Sequence, residues 1–403
     1  MGLCHPGGGH RPSEKKEVDS LDKTVLLCRA QNYDQALVDR QVEFLFGQLE
    51  AAEKLNQNSR VLLKPNLLAK HPPEAAVTTH PAVVRAVIRA LKKRGVTHIT
   101  LADSCGGLYN PAVMKSLYKV SGLWQVCQEE GVECYTECRC GTRPAPEGRV
   151  VKEFTLIQPV LDSDFIIDLA KFKTHVMAGC TAATKNLFGC IPGLQKAEWH
   201  MRFPDKERFG DMLIDLLEIV RPRISLVDGI LGLEGDGPAG GTPRQIGLLL
   251  AGEDPLTVDL AVCGLMGLDP MRVPYLAAAQ RRGLCDQRLD PALLQGDTDA
   301  FRLIPDFALP QSYQGGDTDF DHHVPGLLQK PVQALERVLA PHPVVMASRC
   351  IGCGKCAEIC PQHTIRLDKK AKIRQEKCIR CFCCHEMCPV KAIQVKKFSL
   401  FRL

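Results

Sequence analysis

The chain has 403 residues, which exceeds the usual size of one domain and favours two or three. Its 45% hydrophobic and 24% charged residues, with a formal net charge of +5, are typical of a soluble globular protein. No run of about 18 apolar residues occurs, so we expect no membrane-spanning helix and no membrane partner.

The first 22 residues begin MGLCHPGGGH and contain no apolar stretch behind a basic start, so we predict a disordered N-terminus rather than an export signal. Residues 23–310 alternate short β-branched runs with helical periodicity. This alternation predicts a layered α/β domain with a mostly parallel sheet. The predicted strands are 24–28, 60–64, 98–102, 164–169, 224–228 and 246–251. The predicted helices include 35–55, 81–94, 205–220 and 255–266.

Unusual polar residues follow three of these strands. They are Lys64 and Asn66 after the second strand; Lys171, Lys173, His175, Thr184, Lys185, Asn186 and Gly189 after the fourth; and Asp228, Glu234, Gly235 and Gly237 after the fifth. Ligands of open α/β sheets bind outside the carboxyl ends of the strands. We therefore expect these side chains to line a ligand crevice.

Three of these residues are cations, namely Lys64, Lys173 and Lys185. Converging on one crevice, they would suit a carboxylate or phosphate, so an anionic small molecule is the predicted ligand. The alternative for each lysine is a solvated loop charge. All three follow strand ends, which favours the shared site.

Reduction of a substrate needs protons as well as electrons, and three histidines are candidate donors. His175 is the first choice because it lies two residues from Lys173. His80 precedes Pro81 at a helix start and could equally be a cap. His200 follows Trp199 and could equally be packed against it.

The segment after the fifth strand combines acidic residues with many glycines. Asp228 and Glu234 could bind a metal, orient a lysine or accept a substrate hydroxyl, although Asp228 could instead cap the turn. Gly235 and Gly237 would let backbone approach a ligand, so with Asn66, Asn186 and Glu234 they are candidates for cofactor binding. No dinucleotide fingerprint or phosphate-binding loop occurs, and no flavin motif is visible. A flavin or other organic cofactor therefore stays an open question.

The motifs KPNLL, TTHP, KTH, TKNLFG and DGILGLEGDGP occur in this order between residues 23 and 270. Together they resemble the family catalogued as domain of unknown function 362. The resemblance implies an α/β fold and an association with iron–sulfur clusters, since many members carry a C-terminal two-cluster ferredoxin.

Residues 311–343 contain Gly-Gly, several aspartates and four prolines, which predicts a linker with one short helix at 332–339. Cysteines are abundant: the chain has twenty. Cys134, Cys138 and Cys140 crowd together and could form a third metal site, although a C-x3-C-x-C spacing matches no site that ligand geometry supports. Cys180 or Cys190, on either side of TKNLFG, could be a redox or nucleophilic thiol.

Residues 344–403 contain the pattern C-x2-C-x2-C-x3-C-P twice, which is the pattern of a bacterial-type ferredoxin. Three thiolates two residues apart reach one cube, and the fourth, before proline, reaches the other. We therefore predict two [4Fe–4S] clusters in a small α+β domain. Cluster 1 is assigned Cys350, Cys353, Cys356 and Cys388, and cluster 2 is assigned Cys378, Cys381, Cys384 and Cys360. A pair of zinc ribbons would show no fourth Cys-Pro.

The C-terminal domain is basic, with 13 Lys or Arg against 4 Asp or Glu from Met346 to Leu403. Two oxidised cubes, each with a formal charge of about −2 including thiolates, would leave it positive. Such a surface favours an acidic redox donor such as a ferredoxin or flavodoxin. Nucleic acid is disfavoured because no stacking aromatics are interleaved with the basic residues.

The leading hypothesis is an iron–sulfur reductase that transfers electrons to an anionic small molecule held by Lys64, Lys173 and Lys185, with His175 as proton donor. The second is a non-enzymatic electron carrier, or a maturation factor for a metal or cofactor; a redox-regulated binding protein is the third. Abundant cysteine without an export signal favours the reducing cytoplasm.

Overall fold

The structure is a computed structural model that describes residues 22–314 and 340–397. Its strands are β1 Val25–Arg29, β2 Arg60–Pro65, β3 His98–Leu101, β4 Glu133–Cys134, β5 Cys140–Pro144, β6 Glu153–Ile157, β7 Phe165–His175, β8 Gly179–Cys180, β9 Ile224–Glu234, β10 Thr242–Gly252, β11 Leu294–Gly296, β12 His342–Val345, β13 Ile365–Asp368, β14 Lys370–Ile373 and β15 Ile393–Lys396.

The helices alternate with the strands of the larger part and are short in the smaller part. They are α1 Gln35–Gln48, α2 Glu50–Glu53, α3 Pro81–Lys93, α4 Pro111–Val120, α5 Leu123–Glu130, α6 Gln158–Asp162, α7 Ala183–Asn186, α8 Gln195–Arg202, α9 Lys206–Val220, α10 Pro255–Met266, α11 Pro274–Arg281, α12 Lys355–Glu358 and α13 Cys383–Glu386. None of the described helices is both long and apolar enough to cross a bilayer.

One sheet organises the larger part, with strand order β11-β1-β10-β9-β7-β2-β3-β4 and β8 paired to β7. The central neighbours β9, β7, β2 and β3 are parallel, whereas β10 runs antiparallel to β1 and β9. Apolar clusters cover both faces of this sheet, as expected for parallel strands flanked by helices. The predicted α/β fold with a mostly parallel sheet is confirmed.

The described elements differ from the prediction where polar residues were taken to end strands. β7 continues to His175, because Lys171 and Lys173 still pair with β9 across a bulge. Likewise β9 continues through Asp228 to Glu234. The polar residues at the ends of β7 and β9 therefore belong to the strands and not to the loops that follow them.

The predicted helix 35–55 is divided at Leu49, whose extended backbone (φ −98°, ψ 119°) breaks the helical hydrogen bonding. His80 caps α3 by accepting a hydrogen bond from the Ala82 amide at 3.1 Å, and Pro81 occupies the first helical position. Of the two roles open for His80, a cap and a proton donor, the structure shows the cap.

The C-terminal part contains two antiparallel pairs, β12 with β15 and β13 with β14, together with α12 and α13. Polar contacts join it to the larger part: His175 Nε2 lies 3.2 Å from Glu386, His385 Nε2 lies 2.9 Å from the Asp236 carbonyl, Lys391 donates to the Gly241 carbonyl at 2.8 Å, and Lys397 donates to the Gln314 carbonyl at 2.9 Å. The predicted disordered start and linker helix lie outside the described residues, and the domain boundaries stay predictions.

Candidate functional site

A cleft with a cavity volume of about 70 Å³ lies between the sheet and the C-terminal part. The sheet side contributes Asn66, Asp103, Ser104, Lys173, His175, Lys185, Asn186, Lys196, His200 and Pro238, and the C-terminal part contributes Ile359, Cys383, Glu386 and Met387. Five of its residues can be cationic. The cleft therefore combines positive charge with a wall that carries one cysteine, Cys383, between the predicted cluster ligands Cys381 and Cys384.

Lys185 is the cation of the cleft with the fewest partners. It is 7% exposed, and its ammonium makes no hydrogen bond to another described residue. Phe188 lies beneath it, with Lys185 Nζ 4.5 Å from the ring centroid. Burial lowers the pKa of Lys185, while Glu386 opposes that change. An ammonium placed this way has three free donors for an anion.

His200 is a second under-partnered group. It stacks on Phe209, with ring centroids 4.5 Å apart, rather than on the neighbouring Trp199. Its Nδ1 is buried without a hydrogen-bond partner among the described residues. Burial lowers its pKa to about 3, so the ring is neutral at physiological pH. His200 can therefore donate or accept a hydrogen bond from one ring nitrogen without carrying charge.

Lys173 projects from β7 and is 1% exposed. It donates to Asn66 Oδ1 and to the Val77 carbonyl, both at 2.7 Å, which leaves one of its three N–H groups free. Burial lowers the pKa of Lys173 to about 7. The amine and ammonium forms are therefore similarly populated at neutral pH, which suits a proton donor.

His175, two residues further along β7, is held in one orientation. Its Nδ1 accepts from the amides of Met177 and Ala178 at 3.1 and 3.2 Å, so the neutral ring carries its proton on Nε2. That nitrogen lies 3.2 Å from Glu386 Oε1, which is an electrostatic contact rather than a well-directed hydrogen bond. Burial lowers the pKa of His175 even though Glu386 opposes the change.

Glu386 belongs to α13 of the C-terminal part. Burial alone would raise its pKa, but His175, Lys185 and His200 together lower that pKa to about 2. Its carboxylate is therefore ionised throughout the physiological range and faces the positive side of the cleft. The contact of Glu386 with His175 joins the two parts of the chain at the cleft.

Lys196 and Ser104 also line the cleft, and sequence reasoning missed both. Lys196 donates to the Ser104 carbonyl, Ser104 Oγ and the Cys105 carbonyl at 2.9 to 3.0 Å, which uses all three of its donors. Burial lowers its pKa to about 8. Ser104 follows the end of β3, so the strand-end rule applied to Lys64 could have found it. Lys196 lies in α8 without a motif.

Lys64 lies below the cleft rather than in its lining. Its ammonium contacts Asp103 Oδ1 at 3.0 Å and donates to the Pro65 carbonyl at 2.7 Å, and both side chains are almost fully buried. A Cβ added to Gly189 would come within 2.2 Å of Asp103 Oδ1 and 2.6 Å of Lys64 Nζ, so only glycine fits over this pair. The structure thus separates Lys64 from the free cations.

Asn66 and Asn186 line the cleft and connect its floor. Asn66 Nδ2 donates to Asn186 Oδ1 at 2.8 Å, and Asn186 Nδ2 donates to Asp168 Oδ1 at 2.7 Å. Burial raises the pKa of Asp168 well above its usual value. With Asn66 also accepting from Lys173, the amides are used to hold side chains in place. Their role in this structure is positioning.

Asp228 lies outside the cleft, in a buried cluster with Lys171, Tyr33 and His80. Lys171 Nζ is 2.7 Å from Asp228 Oδ2, Tyr33 OH donates to Asp228 Oδ1 at 2.8 Å, and the His80 amide donates to Oδ2 at 2.9 Å. The Tyr33 and His80 rings stack at 3.5 Å. Of the predicted roles, orienting a lysine matches this geometry, because the carboxylate has no free acceptor toward the cleft.

The glycine-rich segment packs against protein rather than against the cleft space. Thr174 Oγ1 donates to the Gly235 carbonyl at 2.7 Å, and a Cβ at Gly237 would come within 2.0 Å of the Thr174 carbonyl. Glu234 accepts from the Ala308 amide at 3.1 Å and is near Arg244. Of this segment, Pro238 reaches the cleft lining. The close approach that Gly237 permits is therefore to β7, and the one that Gly240 permits is to His385 of the C-terminal part.

The eight cysteines of the repeated pattern line two cavities, four in each. One cavity contains Cys350, Cys353, Cys356 and Cys388, and the other contains Cys360, Cys378, Cys381 and Cys384. These are the two sets assigned from the spacing. Amides of Ala371, Ala392, Thr364 and Arg380 lie 3.2 to 3.4 Å from Sγ atoms of the two sets, and such N–H groups stabilise thiolates.

This arrangement fits a [4Fe–4S] cube at each cavity, which carries one thiolate on each of four irons. Within the described ranges, no three His, Cys, Asp or Glu side chains converge as ligands of one metal ion. The cysteine pattern itself disfavours zinc ribbons, because each run ends in a fourth cysteine followed by proline. Ligation by the individual cysteines stays a prediction.

Among the described residues, the remaining cysteines do not converge in a group of three or more that could hold a single metal ion. Burial raises the pKa of Cys138, and also that of Cys140. Cys180 is fully buried, 3.2 Å from Tyr275 OH and 4.0 Å from Cys263. Burial raises the pKa of Cys190 to about 12, which disfavours a reactive thiolate.

The family comparisons agree with this architecture. Residues 61–264 match the family described as Domain of unknown function (DUF362), and residues 349–392 match the 4Fe-4S dicluster domain. The Thylakoid-associated protein sll1697 of Synechocystis sp. is 34% identical over 266 residues, which are 65% of this chain and 80% of that protein. No solved structure matches.

The dicluster match supports iron–sulfur clusters and a role in electron transfer. The name of the Synechocystis relative associates that protein with thylakoids, and the cytoplasmic location predicted for this chain stays a prediction. The motifs KTH and TKNLFG lie within the matched residues and supply Lys173, His175 and Lys185 of the cleft. The chain belongs to the DUF362 family and joins its α/β unit to a C-terminal 4Fe-4S dicluster domain.

Proposed function

We propose that the protein is an iron–sulfur reductase whose substrate is an anionic small molecule bound in the cleft between its two units. The observation that carries this proposal is that one cleft has free cationic groups of the α/β unit on one side and α13 of the dicluster domain on the other. Clusters bound to that domain supply electrons one at a time.

Lys185 is the principal anion ligand in this proposal, because its buried ammonium has no hydrogen-bond partner among the described residues. A buried cation without a partner is unfavourable, and a carboxylate or phosphate would satisfy it. Lys173 contributes its one free N–H. His200 can add a neutral hydrogen bond at the same site.

Lys173 is a better proton donor than His175 in this geometry. With its pKa at about 7, a large fraction of Lys173 carries a transferable proton at neutral pH. The pKa of His175 is lowered, so its ring is mostly neutral, and its Nε2 proton already faces Glu386. His175 then positions α13 at the cleft, and Lys173 donates the proton that a reduced substrate takes up.

The first experiment is anaerobic purification of the full chain, followed by iron and sulfide analysis and mass spectrometry of the molecules released on denaturation. We expect about eight irons and an anionic molecule in near-stoichiometric amount. Lys185→Met should reduce the bound molecule at least tenfold, whereas the exposed Lys54→Met is the matched control and should retain it.

Equal amounts of bound molecule in wild type and Lys185→Met would contradict the anion site. Full iron content with no bound molecule in any variant would favour the alternative, a non-enzymatic carrier or maturation factor. A released flavin would identify the organic cofactor that the sequence left open. Once a substrate is known, undiminished turnover in Lys173→Met would remove Lys173 as proton donor.

A further inference from the structure

The two cysteine sets of the dicluster domain lie in different surroundings. The set with Cys381 and Cys384 is next to Cys383 and Ile359, which pack on Ala197 of the α/β unit. The set with Cys353 lies beside open surface, and Cys353 itself is exposed. A redox partner can therefore approach the set that contains Cys353 without opening the junction between the units.

Large apolar side chains are exposed around that accessible set. Ile351 is 63% exposed, Leu367 is 45% exposed and Val390 is 36% exposed, and all three line the cavity of Cys350, Cys353, Cys356 and Cys388. They come from three segments that are separate in sequence, and the fold brings them together. Contiguous exposed apolar surface of this kind is typical of a protein interaction site.

Basic residues surround this apolar patch. The segment from Arg349 to Arg374 contains seven Lys or Arg and two Asp or Glu, so it stays positive after the charge of about −2 of one cube is included. Lys355, Arg366, Lys369 and Lys372 are exposed. One of these cations, Lys372, forms an ion pair with Asp368 at 3.4 Å. Both side chains are more than 70% exposed, so water screens the pair and the surface keeps its positive charge.

The chemistry of this surface selects among its possible occupants. A second copy would bring two positive surfaces together, which is unfavourable. Single-stranded nucleic acid would need exposed stacking aromatics, and Phe382, the aromatic residue of the described part of this domain, is buried. An acidic protein complements the charge, and an apolar centre with a charged rim is the usual anatomy of a protein interface.

We propose that Ile351, Leu367 and Val390, with the rim of Lys355, Arg366, Lys369 and Lys372, form the docking surface for a small acidic one-electron carrier protein. We call this surface the carrier face. Docking there places the partner next to the cysteine set that contains the exposed Cys353, while Cys381 of the other set lies at the junction with the α/β unit. The assignment goes beyond the proposed reductase activity, because it holds whatever molecule occupies the cleft.

The test uses the full chain with both clusters loaded and both proteins oxidised, so that binding is measured without electron transfer. The probes are a purified acidic flavodoxin and a purified small acidic ferredoxin, titrated calorimetrically at about 0.01 M ionic strength, where the Debye length is about 30 Å. We expect at least one probe to bind and to weaken steeply as salt is added. Basic cytochrome c should not bind.

The double variant Arg366→Glu/Lys372→Glu, called the rim variant, should weaken binding of the probe at least tenfold. It reverses two charges at the rim and leaves the residues next to the thiolates unchanged. Ile351→Glu tests the apolar centre, with iron analysis to verify that the cube is retained. The matched controls are Lys54→Glu and Leu284→Glu, which lie in the α/β unit and should bind like wild type. Lys185→Met should also bind normally, which separates this proposal from the cleft.

Three results would overturn the assignment: absence of binding by both acidic proteins at low salt, wild-type affinity in the rim variant, or equal weakening in the α/β controls. Vesicles of phosphatidylglycerol and phosphatidylcholine form the membrane arm. Vesicle binding that is lost in the rim variant while neither acidic protein binds would assign the surface to anionic lipid instead.

Discussion

Lys171 and Lys173 lie two residues apart on the same side of β7, yet they belong to regions of opposite character. Lys171 belongs to a buried cluster in which the Asp228 carboxylate pairs with its ammonium and accepts hydrogen bonds from Tyr33 OH and the His80 amide, while the Tyr33 and His80 rings stack. Lys173 faces the cleft, with one N–H free. Burial lowers the pKa of both lysines, but Asp228 opposes the change at Lys171.

The difference shows how to separate structural from functional charge in a buried site. A charge whose donors and acceptors are all used inside the protein stabilises the fold and has nothing left for a ligand. A buried charge with unused donors destabilises the protein until something binds. Three changes test this distinction, and unfolding of the α/β unit can be followed by Trp124 and Trp199, the two tryptophans of the chain.

Asp228→Ala should have the largest effect. It leaves the Lys171 ammonium buried without its partner and removes the acceptor of Tyr33 OH and the His80 amide. We expect the free energy of unfolding to fall by roughly 3 to 5 kcal/mol in guanidinium titrations. Lys171→Met/Asp228→Leu, which removes both charges, should be much less destabilised. A change below about 1 kcal/mol in Asp228→Ala would show that the cluster is not structural.

Lys173 should give the protein a pH-dependent stability. Its pKa falls from 10.5 to about 7 on folding, so between those pH values the native state binds fewer protons than the unfolded chain. Stability then rises with pH in this window by about 1.4 kcal/mol per unit, and the full unfavourable effect of burying the ammonium is present below pH 7.

The measurement compares the unfolding free energies of wild type and Lys173→Met from pH 7.5 to 9.5, with Lys54→Met as control. The Lys173 contribution should change by about 2 to 3 kcal/mol over this range and be absent in Lys173→Met. Parallel curves for wild type and variant would place the pKa of Lys173 at its ordinary value.

Lys185→Met should have the smallest effect on stability. The ligand-free full chain has no hydrogen bond at this ammonium to lose among its described residues, so the unfolding free energy should stay equal or rise by up to about 1 kcal/mol. A loss of more than about 1 kcal/mol would mean that Lys185 is a structural residue like Lys171. The cleft would then lose its principal free cation.

Much of the architecture could be predicted from the sequence. Helix α10 begins at Pro255 and ends at Met266 as predicted, because proline at the first position and glycine after the last are strong local signals. The strand ends of β7 and β9 were misplaced, because polar residues can continue a strand when neighbouring strands pair with them. Local patterns do not contain that information.

The candidate site was predicted in part. Lys173, His175, Lys185, Asn66 and Asn186 line the cleft, whereas Lys64, Asp228, Glu234, Gly235 and Gly237 lie outside its lining. All were chosen by one rule, that polar residues after strands face a ligand. The rule does not say which of them find partners inside the protein, since those partners are distant in sequence.

The sequence by itself determined the repeated cysteine pattern and the α/β class, because both depend on spacing within short segments. Only the tertiary structure decided which buried charged groups have partners inside the protein and which keep donors free for a ligand. That depends on contacts such as Lys171 with Asp228, 57 residues apart, and His175 with Glu386 across two units. It also decided that Cys381 of one cysteine set lies at the junction with the α/β unit while Cys353 of the other set is exposed, since docking of the dicluster domain buries one side of it.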